Sequence, residues 1–320
     1  WVGVISPRHA LWLAAAACAL LTLGGCLTSR YLVQAGAGQF DLLTRARPID
    51  EILYDPDVPL STRELLAELD ELKAFGRKAG LRIKRQYLDY VEVAPEATVW
   101  FAGAADPLSF KARRFCFPIA GCFTGLGWFD LDEALIYQKE MRAKGYDVFV
   151  RPAAAYSTGG WFPDPVTSAM LTSGPSSLVD LANVIFHESV HATVLIHDQM
   201  FFNESFAEFI GDALTIQYFN AKHGEGNPLV AEFLADEVWR ETRVQRLMAT
   251  YKELAALYAG SASRADKLAK KEKIIDALVA DLRLQRRPNN ASLIEVRLYK
   301  GGQEQFTAAL TACGSVPALL

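Results

Sequence analysis

The chain is short of positive charge, of histidine and of long apolar runs. Its 33 Lys and Arg face 37 Asp and Glu, a net charge of -4 with five histidines taken as neutral, and the pI is near 5.8. A nucleic-acid binder carries a basic excess or stripe to meet phosphates, so that partner class is excluded. No run reaches the roughly 18 consecutive apolar residues of a membrane-spanning helix. No repeat with a period of about 20–50 residues is present, which excludes a solenoid, and no low-complexity linker divides the chain. Disorder is excluded by what is there: 51% of the 320 residues are hydrophobic and 11% aromatic, enough for one large core or two modest ones.

Charge is scarcest at the N-terminus. Arg8 is the only firm charge in the first 25 residues, and it precedes a 13-residue, mostly apolar stretch, Leu11–Leu23, followed by Gly24 and Gly25. A basic start, a short apolar centre and a small-residue cleavage region read as a secretory signal, with a short uncut membrane anchor as the alternative. Trp1 in place of Met is a departure from that layout. Leu23-Gly24-Gly25-Cys26 resembles the bacterial lipobox, in which the cysteine becomes the lipidated first residue. That resemblance implies removal of residues 1–25 and acyl chains on Cys26, enough of them for stable anchoring. Leu27 rather than Asp after Cys26 resembles an outer-membrane sorting signal. The expected place is therefore the bacterial cell envelope, on the periplasmic face of the outer membrane. The mature chain would keep 32 basic against 37 acidic residues. In such an oxidising compartment Cys116 and Cys122, six apart in CFPIAGC, can close a disulfide; two buried or free thiols are the other reading. No second Cys/His pair is spaced to make a zinc knuckle.

Residues 26–60 read as a tether followed by irregular chain, punctuated by Pro48, Pro56 and Pro59. Residues 61–320 read as a single domain. Ser61-Thr62-Arg63-Glu64 is a capping box that opens a helix ending near Gly80. Tyr87–Val93 and Thr98–Phe101 alternate like strands, Leu131–Gly145 reads as a helix, and Asp147–Val150 as a strand. An aromatic, turn-rich loop covers residues 155–165. Helical spacing follows from Ser176 to Ile196 and from Glu204 to Tyr218, and nearly everything after Pro228 is helical, with breaks at Gly260 and Pro288-Asn289-Asn290. The expectation is an α+β fold with a small strand-rich lobe over residues 61–165 and a helical lobe over residues 166–320.

The chemistry concentrates in His187-Glu188-Ser189-Val190-His191. Two histidines at i and i+4 share one helix face and can hold one metal ion, while Glu188 beside them can take a proton from water on that ion. Zinc lowers the pKa of such a water to about 7, and the carboxylate then relays the proton to the leaving amine. A catalytic zinc needs a third protein ligand. Asn203-Glu204-Ser205-Phe206-Ala207-Glu208 supplies Glu204 from a second helix, with Asn203 as its N-cap. Glu208, one turn on, can hydrogen-bond the outer nitrogen of a ligating histidine, and Asn183, one turn before His187, is a second such support. His197, six residues after His191, is a rival third ligand at metzincin spacing. Those enzymes place Gly where this chain has Val194, and a β-branched residue resists the sharp turn that Gly permits. Glu204 is the expected ligand, with His197 in the loop.

HESVH followed by NESFAEFIG resembles the gluzincin plan of thermolysin and of alanyl-aminopeptidase-type enzymes. A wider set of segments carries a closer resemblance, covering nearly the whole mature chain, to the bacterial lipoprotein family of putative aminopeptidases. They are Gly25-Cys26, Tyr31–Ala35, Gly38-Gln39 with Ala46–Ile49, Phe117–Cys122, Gly145–Val148, Tyr156-Ser157-Thr158 with Gly160-Trp161-Phe162, Phe186-His187-Glu188 and Phe202–Ala207. The resemblance implies a zincin-like metallopeptidase with one Zn²⁺ ion on His187, His191 and Glu204, Glu188 as base, and a peptide or protein substrate. One departure is the connector: twelve residues separate His191 from Glu204, fewer than in thermolysin-like enzymes. The strand Val148–Val150 with Tyr156–Trp161 is a candidate substrate edge and rim, or else a buried aromatic turn. Tyr156, Tyr218, His223 and Tyr299 all qualify as the group that steadies an oxyanion, and the sequence does not choose among them. Three functions fit: an envelope aminopeptidase, an envelope endopeptidase or chaperone-like protease, and a non-catalytic zinc lipoprotein of envelope assembly.

Overall fold

The computed structural model describes residues 27–94, 97–117, 121–156, 158, 162–299 and 302–320. The expected signal segment and Cys26 lie outside them. Residues 27–60 are not the irregular tether expected from their prolines. Helix α1 (Leu27–Arg45) buries Gln39 and Leu42, sets Tyr31 edge-on to Trp128 at 5.5 Å and pairs Arg30 with Glu133 and Glu140. After β1 (Arg47–Pro48), two of the prolines begin helices instead of ending order. Pro48 is the N-cap of α2 (Ile49–Ile52) and Pro59 that of α3 (Leu60–Ala67), since the fixed φ of proline suits an extended residue at a helix entrance. The capping box at Ser61 does not form, because the helix has already begun at Leu60 with no side-chain cap. The chain breaks at Glu68 and resumes as α4 (Leu69–Lys78).

The middle of the chain supplies β2 (Asp89–Val91), β3 (Val99–Ala105), β4 (Phe115–Phe117), β5 (Gly121–Phe123), β6 (Gly125–Trp128), α5 (Leu131–Ala143), β7 (Asp147–Ala153) and β8 (Val166–Thr167). They form sheets ordered β1-β2-β8 and β6-β3-β7, and a β4-β5 hairpin. The second sheet is antiparallel, with Phe101 opposite both Gly127 and Arg151. Helix α5 starts where Asp130 accepts the amide of Glu133 and packs Ala134, Tyr137 and Met141 onto Ala102, Leu126, Trp128 and Val148.

The remainder is helical: α6 (Ser177–Thr193), α7 (Met200–His223), α8 (Pro228–Ala259), α9 (Arg264–Leu282), α10 (Asn290–Tyr299), α11 (Gln303–Cys313) and α12 (Val316–Leu319). Starts at α8 and α9 follow from Asn227 and Ser263, which accept the amides of Val230 and Asp266. The largest core joins Ile185, Phe186 and Val190 of α6 to Phe206, Ile210 and Leu214 of α7. The fold is α+β and mostly helical. The expected division near residue 165 does not separate two cores. Leu66, Leu69 and Leu72 of α3 and α4 join the α6–α7 core, and Ala291 and Ile294 of α10 pack beside Ala105 and Phe149 of the β6-β3-β7 sheet. Among the described residues no helix is long and apolar enough to cross a membrane.

Candidate metal centre

Helix α6 stops at Thr193 for identifiable reasons. Val194 turns extended, with φ -129°, and the Thr193 hydroxyl, donating to Ser189 O at 2.7 Å, also accepts the Arg82 amide at 2.8 Å. The connector turns through Asp198, whose φ is 60°, a left-handed geometry that a short polar side chain tolerates better than most. Asn203 then closes it, accepting the Ile196 amide at 2.9 Å and donating to Ile196 O at 2.8 Å. Asn203 is therefore a clamp inside α7 and not its N-cap, which is Gln199.

The two helices meet at the motif. Gly211 of α7 lies against His187, where a Cβ would stand 3.3 Å from the His187 amide nitrogen; only glycine admits so close a crossing without displacement. Glu204 faces the histidine pair: its two carboxylate oxygens lie 3.8 Å from His187 Nε2 and 3.7 Å from His191 Nε2. One donor atom from each of the three residues falls within 4.8 Å of the others. Two donors on one tetrahedral zinc stand about 3.3 Å apart, given bonds of ~2.0–2.1 Å, so slight side-chain rotation suffices. The imidazoles are 5.0 Å apart, nearly perpendicular. Glu208 Oε2 sits 3.5 Å from the other nitrogen of His187, Nδ1, which is where a carboxylate orients a ligating ring. Burial disfavours charge on His187, but Glu204, Glu208 and Glu188 outweigh it and push its pKa up to about 10. The cluster calls for positive charge.

Glu188 is half-buried, and its charge bears on both His187 and Tyr87. Its neighbour Tyr87 was not singled out in the sequence. The Tyr87 phenol is raised well above its ordinary pKa by burial and then by the charges of Glu188 and Asp164. Tyr87 also carries a left-handed φ of 59°, held by Lys73 Nζ donating to its carbonyl and by its own amide donating to Asp164 O. Glu295 of α10 was missed as well. Its pKa is raised by burial, opposed by Arg151, and raised further by the charge of Glu204; Arg151 Nε donates to it at 2.7 Å. Nothing in either neighbourhood of the sequence links residue 151 to residue 295.

Other expected residues sit elsewhere. Asn183 Nδ2 donates to Asp212 Oδ1 at 2.9 Å, tying α6 to α7 one turn below the histidines. His197 is exposed, with Nδ1 3.4 Å from Asp198, and stays outside the cluster. Tyr156 packs edge-on against Phe129 at 5.2 Å and faces Tyr31 and Asp164 electrostatically. Tyr218 is buried against Phe75 and Phe186, its hydroxyl accepting from Lys222; along α7 it lies roughly 21 Å from Glu204. His223, stacked on Phe219 at the end of the same helix, is roughly 28 Å away. Both were candidates because their residue types suit an oxyanion, and helix length removes them. Cys26, Trp161 and the side chain of Tyr299 fall outside the described residues. Cys116 and Cys122 are disulfide-bonded, and their hairpin docks on the connector: Asp198 Oδ1 accepts the Cys122 amide at 3.0 Å. Gly121, with φ 82°, leaves room for the His197 ring, whose Nε2 would be 2.9 Å from a Cβ there.

A family model described as "Putative aminopeptidase" matches residues 30–317. The chain belongs to that family. The match runs from α1 into α12, so the His187–His191–Glu204 group, the disulfide hairpin and both three-stranded sheets are all within the family's extent. No curated protein and no solved structure matches the chain.

Proposed function

We propose that the chain is a zinc-dependent peptidase of the gluzincin kind, an aminopeptidase of the bacterial envelope held at the outer membrane by acylated Cys26. The observation that carries this reading is the convergence of His187, His191 and Glu204. Two imidazoles and one carboxylate are the donor set of a catalytic zinc that keeps a position open for substrate, whereas a hard cation such as magnesium or calcium favours all-oxygen ligands. When bound, zinc supplies Lewis-acid polarisation of a water molecule and of the scissile carbonyl. The protein does the rest. Glu208 occupies the Nδ1 side of His187 and so presents Nε2 to the site. The Glu188 carboxylate takes the proton from the attacking water and delivers it to the departing nitrogen. Strand β7 is an edge of its sheet, where a peptide can add by main-chain hydrogen bonds.

Metal analysis of purified wild type, Glu204→Ala and His197→Ala tests the ligand set. The expected result is about one zinc per chain in wild type and in His197→Ala, and none in Glu204→Ala; loss confined to His197→Ala overturns it. A panel of amino-acid coumarin amides beside an unstructured protein substrate tests the reaction. Release of single residues supports the aminopeptidase and internal cuts indicate an endopeptidase. No cleavage of either, with Glu188→Gln indistinguishable from wild type, makes the zinc structural.

A further inference from the structure

The outward side of α1 carries no charge from Thr28 to Phe40. Its exposed positions over that length are Thr28, Leu32, Val33, Gly36, Ala37 and Phe40, and Leu32, Val33 and Phe40 leave 53%, 60% and 70% of their surface in solvent. Val33 and Phe40 are two turns apart on one side of the helix, and Leu32 adjoins them. The opposite side is fixed in place. Tyr31 packs on Trp128 and Phe117, Gln34 donates to Gly127 O and accepts the Phe129 amide, and Arg30 pairs with Glu133 and Glu140 of α5. On α5, which Arg30 joins to α1, Leu135 and Ile136 are 43% and 44% exposed. Ile136 lies between the two glutamates that hold Arg30, on the same side of α5. Single exposed apolar residues are ordinary, but a set grouped on two joined helices marks a contact surface.

What precedes α1 decides the occupant. In the sequence, Leu27 follows directly on Cys26 and the apolar stretch Leu11–Leu23. Given the membrane attachment proposed above, on which this inference rests, the N-terminal end of α1 is tethered at the lipid, with that stretch kept as an anchor or with Cys26 acylated. We propose that α1 lies along the bilayer surface and that Leu32, Val33 and Phe40, with Leu135 and Ile136 of α5, enter the boundary between headgroups and acyl chains. The occupant is the uncharged part of the bilayer: from Thr28 to Phe40 the outward side of α1 offers no basic residue to anionic headgroups, Lys139 beside Leu135 and Ile136 is a single cation at the edge, and the chain as a whole is acidic. Nothing in this placement depends on the metal cluster.

The test uses the full chain in phosphatidylethanolamine–phosphatidylcholine vesicles that carry nitroxide on their acyl chains. A fluorophore is placed at Val33→Cys and, as a control on the exposed face of α9, at Lys270→Cys, both in a Cys313→Ser background. The Cys313→Ser parent reports any label on Cys18 or Cys26. The expected result is quenching at position 33 about fivefold stronger than at 270 and insensitive to salt, as burial of apolar surface requires. Adding Leu32→Glu and Phe40→Glu should bring it down to the level at 270. Equal quenching at the two sites overturns the proposal, as does a chain that fails to float with the vesicles. Quenching that needs phosphatidylglycerol overturns it in favour of charge attraction. A probe at 33 already shielded before vesicles are added overturns it in favour of a second copy or the N-terminal segment as occupant.

Discussion

Glu188 is the residue on which the proposed reaction turns, and its surroundings define a sharp expectation. Because His187, His191 and Glu204 group together without it, Glu188→Gln should bind the proposed zinc as wild type does while kcat falls by about 10²–10⁴, the usual worth of a positioned proton carrier. Metal content and kcat measured on one preparation check this. Gly211 makes a different demand. In Gly211→Ala the new methyl meets His187 backbone at 3.3–3.4 Å, so α7 must move off α6. A loss of about 1–3 kcal/mol in denaturant unfolding is expected, as for other overpacked contacts, together with weaker zinc binding by titration. The histidine pair and Glu204 were legible in the sequence because i, i+4 spacing projects onto one helix face whatever the tertiary structure. Tyr87 and Glu295 were not, because their roles arise only where the chain folds back from about 100 residues away on either side.

The β4-β5 hairpin works on the connector between α6 and α7. Its Cys122 amide is held by Asp198, Arg114 lies 3.5 Å from the same carboxylate, and Thr124 donates to Met200 Sδ at the start of α7. The loop that spaces His191 from Glu204 is thus braced from outside. In Cys116→Ser/Cys122→Ser the short ring opens, and stability should drop by about 2 kcal/mol on the chain-entropy account. Amide exchange should accelerate at Ile196 and Cys122 more than in the α6–α7 core; uniform acceleration would show that the hairpin does not brace the loop. The shortness of this connector was visible in the sequence. How it closes was not, since Asn203 resembles an N-cap to any local reading, and only the helix start at Met200 makes it a clamp. Helix α1 escaped notice for a related reason: it buries little beyond Gln39 and Leu42, so its apolar pattern points outward as much as inward.

The whole chain stores many phenols away from water. Tyr87 and Tyr137 are 3% and 0% exposed; burial raises both, with Glu188 and Asp164 adding to it at Tyr87 and Arg113 opposing it at Tyr137. A raised folded pKa means that the native state keeps a proton the unfolded chain gives up near pH 10. Their contribution is therefore fully present below pH ~10 and is lost above it, by about 1.4 kcal/mol per pH unit for each phenol. Urea midpoints should be flat with respect to these groups up to pH ~10 and fall steeply beyond, and Tyr137→Phe should flatten part of that fall. Predicting an α+β, mostly helical molecule needed only periodicities; predicting where its cores lie required knowing that α3, α4 and α10 leave their sequence neighbours.

Consider, finally, the small sheet that gathers β1, β2 and β8. It joins Arg47 to Tyr90 and Tyr90 to Val166, the second pair in parallel, so its ladder cannot be completed by a chain that ends before residue 166. Such distant partners fold late and slowly. A nascent polypeptide that already carries β1 and β2 would still lack the partner of β2's other side until residue 166 had been added, so this ladder closes only after the β6-β3-β7 sheet, whose strands all precede residue 154, has its full complement.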